Sequence, residues 1–309
     1  MHRLLCFFVL VIPLLASISI ADLSLYTSAS PKSGLEQAAK AFISSWHVVF
    51  NEQLDYQPLI GTSSEKSLFY YTNIVSTAPD SFVFYSSPLL IDDDIEIFDS
   101  DYRDLIPVAR VMLDYSAIVV RRHMYWFSFN DLLEAYQTNP DQVVFGGGSR
   151  VSGFDHIVSA WLLHQSKNNS HQQIYRPYPG GGAALSALRS GEIDVLTTSL
   201  SEALPYHRSQ QVRILCTTAP HVIDNIPPCH PEVVLENWRG MFVMKDMPND
   251  RLSTYQDNIQ SVLTSSSWQI LESKYGWVTA YLGGEEFAQY LSAQHSQLGA
   301  IKSSLEWAV

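Results

Sequence analysis

Val143-Val144-Phe145-Gly146-Gly147-Gly148-Ser149-Arg150-Val151-Ser152-Gly153, followed by Phe154, Ile157, Val158, Trp161 and Leu162, is the stretch that decides the fold. A short β-branched and aromatic run predicts a strand and the glycines a turn; apolar residues spaced three and four apart predict one face of a helix. The same order stands upstream. Leu23-Ser24-Leu25-Tyr26 leads into a turn-rich segment at residues 28–34, then a stripe of Leu35, Ala38, Ala39, Phe42, Ile43 and Trp46. It stands downstream as well, where residues 174–178 run into Pro179-Gly180-Gly181-Gly182, a helix over 183–188 and a strand over 194–197. Strand, loop and helix in alternation predict an α/β architecture with largely parallel sheets. Residues 252–263 and 287–305 predict amphipathic packing helices, the second with Phe287, Tyr290, Leu291, Leu298, Ile301 and Leu305 on one face.

The chain has 309 residues, enough for one large or two ordinary domains. Its 46% hydrophobic and 16% charged residues exclude disorder and low complexity. With 19 basic against 31 acidic residues, net charge −12, and no clustering of the bases, a nucleic-acid surface is not expected. Residues 1–21 carry Arg3, an apolar run over 4–16 and the small-residue end Ser19-Ile20-Ala21. That three-part pattern predicts a secretory signal peptide cleaved before Asp22, since the apolar run is shorter than the ~20 residues a spanning helix needs. Cleavage removes Arg3 and Cys6 and leaves Cys216 and Cys229. In an oxidising compartment the pair predicts one disulfide; two buried thiols, or a metal site with His230, are the alternatives. The acidic stretch at 92–104 lacks calcium-loop spacing and predicts a solvated loop.

A helix N-terminus carries unpaired N–H groups and about half a positive charge, and a glycine loop in front of it admits an anion close to the backbone. In α/β sheets ligands lie beyond the carboxyl ends of the strands, where all three loops must emerge. The hydroxyls of Ser30, Ser33, Ser149 and Ser152 and the cations Lys32 and Arg150 stand in two of these loops, suited to charge-assisted bonds with carboxylates. Each also has a structural role to weigh. Glycine loops are often only tight turns, Lys32 and Arg150 suit a solvated surface, His156 lies one residue off the apolar stripe, and Tyr178 suits packing as well as site lining.

Catalytic patterns are thin. Val151 stands where a nucleophile elbow needs its second glycine, and Asp155-His156 are merely adjacent in sequence. His164 and His171 lack a third metal ligand, and no Walker or dinucleotide fingerprint is present.

These residues resemble the extracytoplasmic substrate-binding proteins of tripartite tricarboxylate transporters. The resemblance runs through Asp104-Leu105-Ile106-Pro107-Val108-Ala109, the Gly146-to-Ser149 loop with Asp155-His156, and Tyr178-Pro179-Gly180-Gly181-Gly182 with Gly191-Glu192-Ile193-Asp194. It continues through Asn237-Trp238-Arg239-Gly240, Trp268, Gly276-Trp277 and Tyr281-Leu282-Gly283-Gly284-Glu285-Glu286-Phe287. It implies a two-lobed Venus-flytrap fold of the type II periplasmic-binding-protein kind, each lobe a mostly parallel sheet flanked by helices. Lobe 1 would hold residues 22–118 and 238–309 and lobe 2 residues 119–237, with crossings near Val119 and Trp238.

The resemblance further implies a monomeric, cofactor-free periplasmic receptor with no catalytic step. It would take a citrate-like tricarboxylate or a dicarboxylate, the family also taking aromatic and amino-acid-like acids, and deliver it to a two-component integral membrane permease. The ligand set would be Ser30, Lys32, Ser33, Gly34 and Glu36 from the first loop; Gly147, Gly148, Ser149, Arg150, Ser152, Gly153 and His156 from the second; and Tyr178, Gly180 and Gly181 from the third. The first loop departs from the family pattern, since Pro31-Lys32-Ser33-Gly34-Leu35-Glu36 has a single glycine and an added lysine. A ligand sensor feeding a signalling partner and an exported α/β hydrolase are the alternative readings.

Overall fold

The computed structural model describes residues 23–59, 71, 81–91 and 102–305. The expected signal peptide and cleavage point, and residues 92–101 of the acidic stretch, lie outside the described residues.

Among the described residues ten strands run in the order β1 Leu23–Thr27, β2 Leu54–Pro58, β3 Ser81–Ser86, β4 Leu105–Arg121, β5 Val144–Gly147, β6 Ile174–Pro177, β7 Val195–Ser199, β8 Val212–Thr217, β9 Glu236–Met244 and β10 Val278–Gly283. The described helices are α1 Gly34–Phe50, α2 Phe129–Thr138, α3 Phe154–Gln165, α4 Gly181–Ser190, α5 Leu200–Arg208, α6 Asn249–Leu263, α7 Ser266–Tyr275 and α8 Gly284–Ser304. The expected α/β alternation is present.

The strands make two sheets joined by β4. Its first part, from Leu105 to Tyr115, pairs antiparallel with β9, and Ala109 to Leu113 pair with β10; from Ser116 onward its partners are β7 and β8. One sheet is completed by β1, parallel to both β2 and β3, and the other by β5, parallel to both β6 and β7. Parallel pairing is therefore confined to the strand–loop–helix units. The antiparallel pairs come from the strands at the crossing, which makes both sheets mixed.

Packing explains the positions of the helices. Helix α1 buries Ala38, Ala39, Phe42 and Trp46, with the Phe42 ring edge-on to Trp268 of α7 at 6.1 Å. Each such large apolar side chain contributes about 1.5–3 kcal/mol when removed from water. Helix α8 buries Phe287, Leu291, Leu298 and Ile301, whereas Tyr290 stays half-buried and donates its hydroxyl to Glu236 at 2.6 Å. Cys216 of β8 is disulfide-bonded to Cys229 across a separation of 13 residues. Among the described residues no helix is long and apolar enough to cross a membrane.

Candidate ligand-binding site

The carboxyl ends of β1, β5 and β6 deliver their loops to one cleft of about 380 Å³. The first loop contributes Ser30, Ser33 and Gly34; the second Gly148, Ser149, Arg150 and Gly153; the third Gly180 and Gly181. Lys32, Glu36, Gly147, Ser152, His156 and Tyr178 lie off the lining. Three helix N-termini, those of α1, α3 and α4, thus meet at one place.

Local chemistry explains most of the split. Ser33 caps α1 by accepting from Glu36 N at 3.3 Å, while the Glu36 carboxylate accepts from Lys32 N at 2.5 Å and from Lys40 Nζ at 2.7 Å. Glu36 is thereby turned toward its own helix start, and Lys32 is exposed. Buried His156 stacks on Tyr175 at 4.3 Å and accepts from Ser152 N through Nδ1 at 3.0 Å. Burial lowers its pKa to about 4, so the ring is neutral and structural in its contacts. Gly147 is held in the strand ladder, with its carbonyl accepting from Tyr178 N at 2.9 Å. The second and third loops touch directly, Gly180 N donating to Gly148 O at 3.2 Å. Gly180 sits at φ 94°, a conformation open to glycine and strained for other residues.

The ligand set expected from the sequence omits four charged groups at this place, Arg239, Asp155 and Glu202 in the lining and Asp114 buried behind it. Arg239, 2% exposed, pairs with fully buried Asp114 at 3.5 Å and donates to Asn237 Oδ1 at 2.5 Å. Asp114 also accepts from Ser201 Oγ at 2.6 Å. Burial pushes the Asp114 carboxyl up, against the pull of Arg239 and of its Ser201 and Tyr115 donors. Asp155 accepts from Gly148 N at 2.8 Å, and its own amide donates to Ser149 Oγ at 3.0 Å.

Glu202 is the fourth. Its Oε1 accepts from Gly34 N at 2.6 Å, a bond between α5 of one sheet's layer and the first amide of α1 in the other. Its Oε2 accepts from Thr198 Oγ1, and a Cβ on Gly181 would run into the same carboxylate. The side chain therefore stands where the ends of α1 and α4 meet.

A signal for Glu202 exists in the sequence. Ser199-Leu200-Ser201-Glu202 is a capping-box pattern, in which the serine and the glutamate close on each other's backbone. Here the box is open: Ser199 makes no side-chain cap bond, and its hydroxyl instead accepts from Asn237 Nδ2 at 3.3 Å and Arg239 Nη2 at 3.4 Å. Both members of the motif are drawn into the cleft.

Asp155 and Glu202 keep part of their surface open to the cleft while protein crowds the rest. Burial first, and the charge of Glu202 second, push Asp155 up to about 7, against its Gly148 and Ser149 donors. Burial also raises Glu202, against the bonds from Thr198 and Gly34. Asp155 and His156 face different partners, so no base-orienting pair forms, and His164 stacks on Trp161 at 5.2 Å. Among the described residues no group of three or more metal-ligating side chains is present.

The family model described as tripartite tricarboxylate transporter family receptor matches residues 71–306. A comparison with curated proteins returns no match. Solved structures share the fold. An R. palustris protein with adipate superposes with TM-score 0.84 at 13% identity, over 94% of this chain and 98% of its own. A periplasmic transporter does so with TM-score 0.83 at 15% identity, over 93% and 98%. MatC from Rhodopseudomonas palustris with bound malate does so with TM-score 0.76 at 13% identity, over 92% and 99%.

Proposed function

The chain belongs to the tripartite tricarboxylate transporter receptor family, and from that premise we propose that it is a periplasmic receptor for a small organic acid, held in the cleft and passed to a two-component membrane permease. The observation that carries the reading is the convergence of the α1, α3 and α4 N-termini, with Ser30 and Ser149, on one cleft. The structural neighbours solved with adipate and malate support a carboxylate as one part of the ligand. A citrate-like tricarboxylate is the finer expectation from the family.

In this reading lobe 1 is residues 22–118 with 238–309 and lobe 2 is residues 119–237, hinged where β4 and β9 run side by side between the sheets. Ser30, Ser33, Gly34, Gly148, Ser149, Arg150, Gly153, Gly180 and Gly181 contact the ligand from the two sides. Binding favours the closed form by the contacts that bridge both lobes, and no bond of the ligand is broken. Residues 1–21 direct export and are removed before Asp22, and the receptor acts as a monomer.

A thermal-shift screen of the purified protein against carboxylates, amino acids, sugars and amines tests this. Ligand at about 100 times its dissociation constant adds ~2.7 kcal/mol to the native state, a clear rise in melting temperature. A rise confined to carboxylate-bearing solutes is the expected result; a rise with neutral sugars or simple amines alone would contradict it.

A further inference from the structure

A second cavity, of about 480 Å³, lies at the other end of helix α5 from the cleft. Glu202, near the start of α5, lines the cleft; His207, near its end, lines this cavity together with Arg122, Arg213, Phe127 and Asn130. In a chain of net charge −12, two guanidinium groups thus border one hollow. Neither forms an ion pair with a described residue, and the Arg122 side chain makes no hydrogen bond to one. The neighbouring acids are engaged elsewhere. Asp224 accepts from Arg208 Nε at 2.8 Å, and Asp131 accepts from Phe127 N and Ser128 N at the start of α2.

Arg213 is positioned without being neutralised. Its Nη1 donates to the carbonyl oxygens of Met124 at 2.9 Å and Trp126 at 2.8 Å, and the guanidinium carbon lies 4.4 Å from the centre of the Phe127 ring. Its Nε and Nη2 bond to no described residue. Burial and the charge of Arg122 both pull it below the ordinary guanidinium range, and no described carboxylate opposes them. His207 accepts from Ile214 N through Nδ1 at 3.0 Å, so the neutral ring carries its hydrogen on Nε2. Donors already fixed by the fold lose little freedom when an anion arrives.

We infer that this cavity is a second anion site, separate from the cleft, which takes a phosphate group between Arg122, Arg213 and the Nε2–H of His207. Two guanidinium charges match a dianion, and their planar forks match its oxygens. A monocarboxylate would leave one charge unanswered, as would a phosphodiester, so the ligand is free phosphate or a phosphomonoester. The site does not rest on the receptor reading of the cleft.

Calorimetry on the full chain in a chloride buffer, with inorganic phosphate, glycerol 3-phosphate and acetate, tests the inference. The expected result is one site for at least one of the two phosphates, about tenfold tighter or better than for acetate; the tighter of the two tells whether the group arrives free or on an ester. Arg122→Gln, at a side chain that supports no other described bond, should weaken that binding about tenfold and leave the melting temperature in chloride unchanged. No phosphate binding up to about 10 mM would overturn the inference, as would equal affinity for acetate. Binding that Arg150→Gln abolishes and Arg122→Gln leaves intact would overturn it too, because it would put the anion in the cleft.

Discussion

Helices α2 and α5 open on the same local pattern, a serine followed three residues later by an acid, and meet opposite fates. At α2 the box closes: Ser128 Oγ accepts from Asp131 N at 3.2 Å, and the Asp131 carboxylate accepts from Ser128 N at 2.9 Å and Phe127 N at 2.7 Å. At α5 Ser199 and Glu202 ignore each other and bond to Asn237, Arg239 and Gly34. The pattern is equal; the surroundings are not. Asp131 faces solvent, where nothing competes with the helix start, whereas Glu202 faces the N-terminus of a second helix. A local rule broken at one place and kept at another marks the place where function takes the side chains.

The sharpest way to break the comparison is to remove the group that holds Ser199 away from its helix. Arg239→Ala leaves Asp114 buried without its cation, and breaking such a pair costs about 3–5 kcal/mol. Urea unfolding should show that loss, well beyond the cost of removing the α2 cap with Ser128→Ala. Next in size is Gly181→Ala, whose new methyl meets the Glu202 carboxylate and should cost about 1–3 kcal/mol. In a Glu202→Ala background the same change should cost clearly less, so a double-mutant cycle measures the contact directly. Additive effects would place Glu202 elsewhere.

Ser128→Ala sharpens the comparison from the other side. It removes a working cap and should cost about 1 kcal/mol in urea unfolding while leaving ligand affinity unchanged. Smallest and most specific is the pH dependence. Asp155 is raised to about 7, so the folded state holds its proton more tightly than the unfolded state, and stability falls as pH rises from about 4 to 7. His156, lowered to about 4, acts with the opposite sign: its contribution is present above the unfolded histidine range near pH 6.5 and is lost as pH falls toward 4. Asp155→Asn should therefore make the curve fall less, or rise more, with pH between about 4 and 7. An unchanged curve would show that Asp155 titrates normally.

The three strand–loop–helix units were legible because glycine turns and helical spacing are local properties of the chain. The Cys216–Cys229 pairing was legible for the same kind of reason, two cysteines a short loop apart. The antiparallel share of the sheets was not, because β4 is one long strand whose partners β7, β8, β9 and β10 all lie far along the sequence. The Arg239–Asp114 pair stayed hidden for that reason too. Glu202 was hidden differently, since its residue type and spacing satisfy a helix cap completely. Lys32, the one added cation of the first loop, drew attention by its charge, yet it lies off the cleft, and the glutamate four residues on holds its amide.

Hydrogen exchange with and without the solute that gives the largest thermal shift tests the central claim most directly. The account predicts slowed exchange on binding at residues 28–36, 146–154 and 178–183 together, because the ligand occupies the junction of three helix starts. Protection confined to one of these segments, or found only elsewhere in the chain, would contradict it.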